Sequence, residues 1–533
     1  MQIAFATAFA AAGLACAATA QHPLYTFPGH APTDQFGSAL GRVGDANGDG
    51  FPDFVVGAPG DDGGALDGGA AFLQSGKDAS QLAVRFGTQP NERVGYAVDG
   101  AGDVDGDGSA DWIVGCGLSA SGNAARVYSG ATGALLHEWT GPAPLSYFGS
   151  SVAGCGDVDG DGFDDVIVGA RHDDAQSLGV GSAIVYSGAT GGVLLTLSGC
   201  MPGSGFGISV DGVGDVDADG VVDLGVLSRL GGPGCPAGGW AYSGRTGVAL
   251  LAFPSTVPVT QGPRGISGAG DADSDGHADV VVGNAGSELC GGSMPGSARV
   301  CSGSNGGLMH DLKGEPGCTW FGFSVDEAGD VDGDGFDDVI VGAIGGNYAD
   351  VKTIRYGDTI YRVSGSGPFF GYAVAGVGDL DLDGRIDFAV GERAGTATVF
   401  TGCGGDFSVW GGGCACTHHV PPRLWGWGCA ETGETVYYTI NKGFGGAPAF
   451  LLLGIGQGVL PLAGGCTLHI APVVGVFPTG PLPGVGPAEG KFTYPFSVPT
   501  TAAGASATMQ AFVYDPGVPQ QYCASNGVKV TIQ

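Results

Sequence analysis

Seven copies of one short acidic pattern constrain the fold of this chain more than any other feature. The clearest copy, residues 330–338, reads Asp-Val-Asp-Gly-Asp-Gly-Phe-Asp-Asp. Because a regular spacing of this kind is typical of repeated supersecondary units, the sequence predicts seven similar structural units. Successive copies begin 58, 54, 58, 56, 59 and 49 residues apart, at Asp45, Asp103, Asp157, Asp215, Asp271, Asp330 and Asp379.

Each copy places oxygen-bearing side chains at positions 1, 3, 5 and 9 and glycine at position 6. Calcium takes roughly six to eight oxygen ligands, so alternate residues have to point inward and the chain has to turn sharply, which glycine permits. The pattern therefore predicts up to seven Ca²⁺ ions, one in each unit. The predicted side-chain ligands are Asp45, Asn47, Asp49 and Asp53; Asp103, Asp105, Asp107 and Asp111; Asp157, Asp159, Asp161 and Asp165; Asp215, Asp217, Asp219 and Asp223; Asp271, Asp273, Asp275 and Asp279; Asp330, Asp332, Asp334 and Asp338; and Asp379, Asp381, Asp383 and Asp387.

Position 7 varies from copy to copy, as expected if only its backbone carbonyl binds the ion. An EF-hand would carry a bidentate acid at position 12, where this chain always has valine. The aspartate at position 9 instead leads into an apolar run such as residues 339–341, so we expect a strand after each loop. The predicted carbonyl ligands are Phe51, Ser109, Phe163, Val221, His277, Phe336 and Arg385.

An alternative interpretation is that these loops are merely acidic turns in solvent. Two carboxylates about 4 Å apart repel each other by around 4 kcal/mol at an effective dielectric constant near 20. A bound cation removes that repulsion, and the cluster recurs seven times. We therefore favour calcium binding.

The residues around each loop form a recurring frame. Phe-Gly precedes the loop, and an apolar strand ending in Gly and often Ala follows it, as in Phe321-Gly322 and Gly342-Ala343. This frame resembles the FG-GAP repeat of integrin alpha-subunit propellers and of related secreted bacterial proteins, over about residues 22–402. In the second copy Val94 replaces Phe, and in the fifth copy we assign the Phe-Gly position to Arg264-Gly265.

Each repeat offers four strand-like segments, which predicts an all-β fold with a seven-bladed β-propeller of four-stranded blades over residues 21–402. The last repeat lacks an obvious fourth strand, whereas residues 24–27 precede the first Phe-Gly as the fourth strands precede the others. We expect this N-terminal segment to pair with the last blade and close the ring. Residues 407–410 are the alternative partner for that edge.

Residues 403–533 lack the repeat and form a second predicted domain, a small disulfide-containing β-sandwich. Its six cysteines, like the seven at residues 116–318, predict disulfide bonds if the protein is exported, although an odd number leaves one thiol free or bridging the domains. The predicted strands are residues 435–440, 449–453, 466–470, 507–513 and 528–532. The alternative is a zinc site, although the spacing is not that of a standard zinc finger, formed by Cys414, Cys416, His418, His419 and Cys429.

The formal net charge of −33 argues against nucleic acid and anionic membrane surfaces as partners. Residues 1–20 are rich in alanine and end in Ala18-Thr19-Ala20, which predicts a secretory signal peptide. Lipid attachment at Cys16 is the alternative. No later segment has about 20 uninterrupted apolar residues, so we expect no membrane span. The expected location is secreted, extracellular or at the cell surface.

These features favour a non-enzymatic calcium-binding module that binds or adheres to an extracellular protein or glycan, with calcium in a structural role. Two alternatives stay open. One is an enzyme that acts on extracellular polysaccharide, although the sequence contains neither Gly-x-Ser-x-Gly nor His-Glu-x-x-His, and we assign no catalytic residue. The other is a purely architectural envelope protein.

Overall fold

The structure is a computed structural model in which the chain divides into two compact units, with a boundary between Gly402 and Cys403. Each unit is described by itself below. The described residues are 23–117, 123–141, 146–172, 179–231, 237–254, 265–285, 296–317, 319–331, 336–354, 357–393, 395–402 and, in the C-terminal unit, the strands given below.

The described residues of the repeated unit form seven four-stranded antiparallel sheets. The first strand of the chain is β1 (Pro23–Pro28), and a short 3₁₀ turn (Pro32–Asp34) follows it. Sheet 1 contains β2 (Ala39–Gly44), β3 (Asp53–Ala58), β4 (Ala70–Gln74) and β5 (Gln81–Phe86). Sheet 2 contains β6 (Val94–Gly102), β7 (Asp111–Cys116), β8 (Ala124–Tyr128) and β9 (Leu135–Thr140). Sheet 3 contains β10 (Phe148–Gly156), β11 (Asp165–Ala170), β12 (Ser182–Tyr186) and β13 (Val193–Ser198).

The remaining four sheets repeat this order. Sheet 4 contains β14 (Val210–Gly212), β15 (Leu224–Ser228), β16 (Gly238–Tyr242) and β17 (Ala249–Pro254). Sheet 5 contains β18 (Gly265–Gly268), β19 (Val280–Asn284), β20 (Ser297–Cys301) and β21 (Leu308–Lys313). Sheet 6 contains β22 (Phe321–Gly329), β23 (Asp338–Ala343), β24 (Tyr348–Thr353) and β25 (Thr359–Ser364). Sheet 7 contains β26 (Phe370–Gly378), β27 (Asp387–Glu392) and β28 (Thr396–Phe400), with β1 as its fourth strand.

The second strand of each sheet is buried along almost its whole length. In sheet 3, every residue of Asp165–Ala170 is buried, whereas the fourth strand Val193–Ser198 alternates between exposed and partly buried residues. A continuous Val/Ile run is what a strand covered on both faces requires, and an alternating run suits an edge strand. Each acidic loop joins a first strand to one of these buried second strands, so the loops are anchored in the core.

Consecutive sheets pack face to face. The first strand of each sheet contacts the first strand of the next, from β2 through β6, β10, β14, β18 and β22 to β26, and β26 also contacts β2. Apolar side chains fill the spaces between sheets, such as Ile113 and Val127 of sheet 2 against Phe148 and Val168 of sheet 3. An all-β chain of repeated four-stranded sheets packed in this way fits a β-propeller.

The N-terminal strand pairs with the last sheet of the repeated unit, as predicted. β1 runs antiparallel to β28, with Tyr25 opposite Val399 and Phe27 opposite Ala397. The alternative partner, β29 (Asp406–Trp410), pairs instead with a strand of the C-terminal unit.

The assignment of Phe-Gly in the fifth repeat was wrong. Gly265 pairs with Gly283 in the register in which Ala39 pairs with Gly57. Gly265 therefore lies two residues beyond the glycine of Phe-Gly, and the true position falls on residues 262–263, outside the described residues. Arg-Gly next to an apolar residue resembled the motif by sequence, but backbone pairing determines the alignment.

The C-terminal unit contains three sheets in its described residues. Its strands are β29, β30 (Arg423–Trp427), β31 (Thr435–Gly443), β32 (Pro448–Gly454), β33 (Gln457–Pro461), β34 (Thr467–Ile470), β35 (Val473–Pro481), β36 (Gly490–Ser497), β37 (Ser506–Tyr514) and β38 (Tyr522–Thr531). Five strands follow the order β29-β38-β37-β32-β35, three the order β30-β31-β36, and β33 pairs with β34. The five predicted apolar runs fall on β31, β32, β34, β37 and β38, while the sandwich arrangement stays a prediction.

Three of the cysteines in the repeated unit are buried free thiols: Cys116, Cys155 and Cys301. The expectation of disulfides therefore fails for these three. Burial raises the pKa of the Cys116 thiol to about 12, so this group behaves as a small apolar core residue. The five proposed zinc ligands, Cys414, Cys416, His418, His419 and Cys429, lie outside the described residues. Among the helices of the described part of the chain, none is long and apolar enough to cross a membrane.

Candidate metal centres

The loop between β10 and β11 shows how the acidic pattern folds. Asp157 at position 1 accepts hydrogen bonds from three backbone N–H groups through both carboxylate oxygens. The donors are Gly160 (2.7 Å) and Asp161 (3.0 Å) to Oδ1 and Gly162 (2.8 Å) to Oδ2. These bonds fold the chain back around its first residue, which brings positions 3 and 5 near position 1. Gly162, at position 6, has φ +93°, a conformation that residues other than glycine rarely adopt.

The same hydrogen bonds from positions 5 and 6 recur in five other loops. They are accepted by Asp45, Asp103, Asp215, Asp271 and Asp379. In the sixth loop Asp330, Phe336 and Asp338 are described, whereas Asp332 and Asp334 lie outside the described residues.

The fold brings carboxylates together as a cation site requires. In the third, fourth and fifth loops, positions 1, 3 and 9 each offer an oxygen within 4.8 Å of the others, and in the second loop positions 1, 3 and 5 do so. A set of carboxylate oxygens, with a backbone carbonyl at position 7, is the donor set that calcium prefers over softer metals. The residues therefore fit a calcium ion.

The aspartate at position 9 has a second role, in backbone hydrogen bonding, that the spacing of the acidic residues did not predict. The side chain of Asp165 is fully buried at the start of β11. Its Oδ2 accepts the N–H of Val158 in the loop (2.9 Å), and its Oδ1 accepts the N–H of Gly188 beyond β12 (2.9 Å). One carboxylate thus holds the loop, the second strand and the turn after the third strand together.

This double hydrogen bond is repeated in the other loops whose partners are described. Asp53, Asp111, Asp223, Asp279 and Asp387 each accept one N–H from position 2 of their loop and one from a glycine after the third strand. Burial raises the pKa of Asp165 and of the first four of these residues to about 6, and that of Asp387 to about 7. A cation nearby would favour the ionised form.

The glycine that donates to position 9 has no room for a side chain. A Cβ atom on Gly130 would lie 2.0 Å from the carbonyl oxygen of Ala110, and one on Gly188 would lie 2.0 Å from that of Asp164. These two glycines belong to Ser-Gly-x-Thr-Gly segments, at residues 129–133 and 187–191. Ser-Gly follows the third strand in five of the seven repeats, and this recurrence was the signal that could have linked these turns to the loops.

Neighbouring loops are also hydrogen-bonded to each other. The N–H of Ala110 in the second loop donates to the carbonyl of Asp45 in the first (3.1 Å). Equivalent bonds run from Asp164 to Asp103 (3.1 Å) and from Ala278 to Asp215 (2.9 Å). Each site is therefore coupled to the next sheet as well as to its own.

Basic side chains approach position 5 in two of the loops. In the fourth loop Arg245 Nε donates to Asp219 Oδ2 (2.8 Å), and in the first Lys77 Nζ lies 3.7 Å from Asp49 Oδ2. At position 7, the ring of His277 lies 2.7 Å from the carbonyl oxygen of Val216 through Nδ1, which ties this side chain to the fourth loop.

Comparisons with known proteins support the resemblance seen in the sequence. The family model of the FG-GAP repeat matches residues 148–186, which include β10, the third acidic loop, β11 and β12. The chain thus carries an FG-GAP repeat and is similar to integrin alpha subunits. The FG-GAP match thus falls on the loop whose hydrogen bonds are described first above.

Several integrin alpha subunits are similar to part of this FG-GAP chain. It is 31% identical to integrin alpha-V of Gallus gallus over 231 residues, which are 40% of this chain and 22% of the relative. It is 31% identical to integrin alpha-IIb of Homo sapiens over 215 residues (36% and 20%) and 32% identical to integrin alpha-5 of Xenopus laevis over 203 residues (34% and 19%). The chain thus spans about a fifth of the length of these curated relatives.

Proposed function

We propose that this chain is a secreted or cell-surface adhesion module that binds an extracellular protein or glycan. Its seven four-stranded sheets are the blades of a closed β-propeller, and Ca²⁺ is structural. The observation that carries the proposal is the repeated acidic loop. Its position 9 aspartate lies in the candidate cation site and also links the loop and the second strand to the turn after the third strand. Similarity to integrin alpha subunits, as non-catalytic binding proteins, supports the same function.

Calcium has a structural role in this proposal because the loops lie between buried strands. If each site binds calcium at about 0.1 mM, then about 1 mM calcium contributes around 1.4 kcal/mol per site and roughly 10 kcal/mol over seven. That sum is comparable to the net stability of a whole domain, about 5–15 kcal/mol. The ions would therefore determine whether the closed ring persists.

The metal part of the proposal is tested by calcium stoichiometry. Equilibrium dialysis of the full chain in about 1 mM calcium should retain up to seven ions per chain. Replacing Asp157, Asp159 and Asp161 together by Asn should reduce the stoichiometry by one, because only the third site loses its carboxylates. A chain that retains no calcium under these conditions would contradict the structural role of the metal.

The binding part is tested separately with protein and glycan arrays, probed with the full chain with and without a chelator. We expect specific binding in calcium. If the arrays show no bound ligand and the chain releases sugars from a panel of polysaccharides, the protein is an extracellular enzyme and the adhesion proposal is wrong. Binding that survives complete chelation would show that recognition does not need the metal-held fold.

A further inference from the structure

The ends of the sheets that lie away from the calcium loops surround two adjoining cavities. One, of about 380 Å³, is lined by Arg93 and Tyr96 of the second repeat and by Tyr372 and Arg393 of the seventh repeat, among others. The other, of about 570 Å³, is lined by Arg171 and Arg229. Ile208 lines both cavities. We call Arg93, Arg171, Arg229 and Arg393 the arginine cluster.

The arginine cluster is remote from the metal centres. Arg171 and Arg393 directly follow second strands that begin with the position 9 aspartates Asp165 and Asp387. A six-residue strand is about 20 Å long, which is more than two Debye lengths at physiological salt. The cluster and the calcium sites can therefore be changed independently.

The arginines of this cluster have no acidic partner among the described residues. The Nε atoms of Arg171 and Arg229 are buried and make no hydrogen bond there. Some other arginines of the repeated unit do form ion pairs, as Arg126 does with Glu92 (2.7 Å) and Arg362 with Asp350 (2.6 Å). In a chain with an excess of 33 negative charges, four guanidinium groups at one end that lack an acidic partner among the described residues indicate a site for an external anion.

Aromatic rings lie between the arginines. The guanidinium of Arg171 stacks 4.8 Å from the ring centre of Tyr147, and that of Arg393 lies 5.3 Å from the ring centre of Tyr372. Phe323 contacts Tyr372, with 5.1 Å between the ring centres. These contacts hold the guanidinium planes in fixed orientations, so less conformational entropy is lost when an anion binds.

Hydroxyl groups complete the lining of the first cavity. The Oγ atoms of Ser38 and Ser150 are buried and have no hydrogen-bond partner in the described part of the chain. Buried hydroxyls normally find a partner, so a ligand that carries hydroxyl groups of its own would satisfy them. Burial raises the pKa of Tyr96, and the charges of Arg171, Arg393 and Arg93 act on its hydroxyl in the opposite direction, which places three of the arginines near one point.

The backbone at this end holds bulky residues in a conformation that disfavours them. The residue before the Phe-Gly position has a positive φ in six units, and it is glycine in only one of them. The φ values are 56° at Gln35, 57° at Arg93, 54° at Tyr147, 63° at Gly205, 52° at Trp320 and 65° at Phe369. Large side chains kept where glycine would cost less are typical of functional positions.

We propose that the arginine cluster binds an acidic glycan, a chain of sugars that carry carboxylate or sulfate groups. The arginines provide planar pairs of donors for the acid groups. The tyrosine and phenylalanine rings offer flat apolar faces to the sugar rings, and the serine hydroxyls bond to sugar hydroxyls. This inference deepens the proposed binding function and rests on it. An acidic peptide could bond to the same arginines and hydroxyls, but it would bring no sugar rings to lie against the tyrosine and phenylalanine rings.

The test measures affinity by isothermal titration calorimetry, with the full chain in about 1 mM calcium. The probes are a galacturonate hexamer, a sulfated galactose hexamer, a neutral galactose hexamer and a glutamate hexamer. We expect at least one acidic sugar to bind tenfold or more tightly than the neutral sugar. Arg171→Ala and Arg229→Ala should each weaken that binding by about 10-fold or more, since a charged hydrogen bond contributes about 1.5–3 kcal/mol.

Two matched variants make the result specific. Lys313→Ala removes one positive charge from β21, where Lys313 is 69% exposed and lies 3.6 Å from Asp311, and should leave the affinity unchanged. Arg171→Lys keeps the charge but loses the planar donor pair, so its affinity should lie between those of wild type and Arg171→Ala. Thermal unfolding in calcium checks that each variant is folded.

The outcomes separate this inference from the proposed function. Binding of the glutamate hexamer but not of the sugars would overturn the glycan assignment. A ligand found on the arrays whose affinity is the same in Arg171→Ala and Arg229→Ala would overturn the inference and leave the adhesion function standing. Arrays and hexamers that show no binding would overturn both.

Discussion

The two ends of the four-stranded sheets differ in how their residues vary between repeats. At the loop end, every unit has the same kinds of residues at positions 1, 3, 5, 6 and 9. At the opposite end, the residue before Phe-Gly is glutamine, arginine, tyrosine, glycine, tryptophan or phenylalanine. Residues that recur in every repeat, as those of the acidic loops do, stabilise every repeat by holding its strands together. A feature that differs between repeats can build one asymmetric site, as recognition requires.

Removal of calcium should give the largest difference between the two ends. A loss of roughly 10 kcal/mol from a unit of about 380 residues, whose unfolding entropy is near 0.8 kcal/mol per degree, lowers Tm by about 12 °C. Differential scanning calorimetry with and without a chelator at pH 7.5 measures this shift. Arg229→Ala should move Tm by less than about 2 °C in calcium. If chelation and this variant lowered Tm equally, the loop end would not stabilise the fold more than the opposite end does.

Position 9 should matter even without metal, because its carboxylate also accepts two backbone N–H groups. Asp165→Ala leaves both donors buried and unpaired, so we expect a loss of about 2–4 kcal/mol in the chelated protein. The control is Asp161→Ala in the same loop, whose exposed side chain accepts a single backbone N–H, from Phe163, so its loss in the chelated protein should be smaller. Denaturant unfolding of both variants in chelator measures the difference. Similar midpoints would show that Asp165 acts as a metal ligand alone.

The turn glycine that donates to position 9 should not tolerate a side chain. Gly130→Ala places a Cβ against the carbonyl oxygen of Ala110, and we expect a loss of about 2 kcal/mol or more. Gly192→Ala is the matched control, because Gly192 is exposed and the nearest atom to its Cβ would be Thr190 Oγ1 at 3.2 Å. Its stability should change by less than about 0.5 kcal/mol. Thermal melts of the two variants in calcium make the comparison.

The pH dependence of stability should change sign when calcium is removed. The buried position 9 carboxyls have pKa values of about 6 to 7, above the usual value for aspartate, because burial disfavours their charged form. Without calcium the native state keeps these protons where the unfolded chain has lost them, so stability falls as pH rises from about 4 to about 7. With calcium, the ion binds the ionised carboxyls, and its stabilisation grows over the same range.

Tm measured at pH 5.0, 6.0 and 7.0 in calcium and in chelator tests this change of sign. We expect Tm to fall with pH in the chelated protein and to rise in the calcium-loaded protein. A difference of about one pKa unit in a single carboxyl corresponds to about 1.4 kcal/mol, so the opposite slopes should be measurable. Parallel curves would show that the loop carboxyls do not exchange protons for calcium.

The smallest effect should come from the strained residue of the variable end. Phe369 is 45% exposed and has φ +65°, whereas unit 4 has glycine at this position. Phe369→Gly should relieve the strain and change stability by no more than about 1 kcal/mol in the stabilising direction. Chemical denaturation in calcium measures it. Clear destabilisation would mean that Phe369 contributes to the core of its blade rather than to a surface for recognition.

The sequence predicted the features that repeat. The spacing of carboxylates in each loop, the strand after it and the pairing of residues 24–27 with the last sheet could be inferred because the same residues recur at a fixed period. Where one copy departed from the pattern, as at Arg264-Gly265, the same reasoning placed the motif two residues too late. The spacing could have revealed this, because the glycine of Phe-Gly lies eight residues before position 1 in the six other repeats, as Gly37 does before Asp45, whereas Gly265 lies only six residues before Asp271.

The arginine cluster could not be predicted in this way. Its members are separated by 58 residues or more and belong to different units, and each follows or precedes a strand for its own local reasons. Only packing of sheets 2, 3, 4 and 7 around common cavities brings them together. The donors to position 9 were within reach of sequence reasoning, because Ser-Gly recurs after the third strands, but their acceptor is identified only by the folded loop.

The pairing of β1 with β28 imposes an order on biosynthesis. Pro23 is made early, yet its neighbour in the sheet, Phe400, is made more than 370 residues later. At about 5–20 residues per second, the first strand waits about 20 to 75 seconds for its partner. For most of that interval the other strands of sheet 7 do not exist, and Phe27 can pack only against residues of sheet 1 such as Phe54. Until β28 emerges, β1 of the nascent protein is thus open to pairing with a strand of another copy.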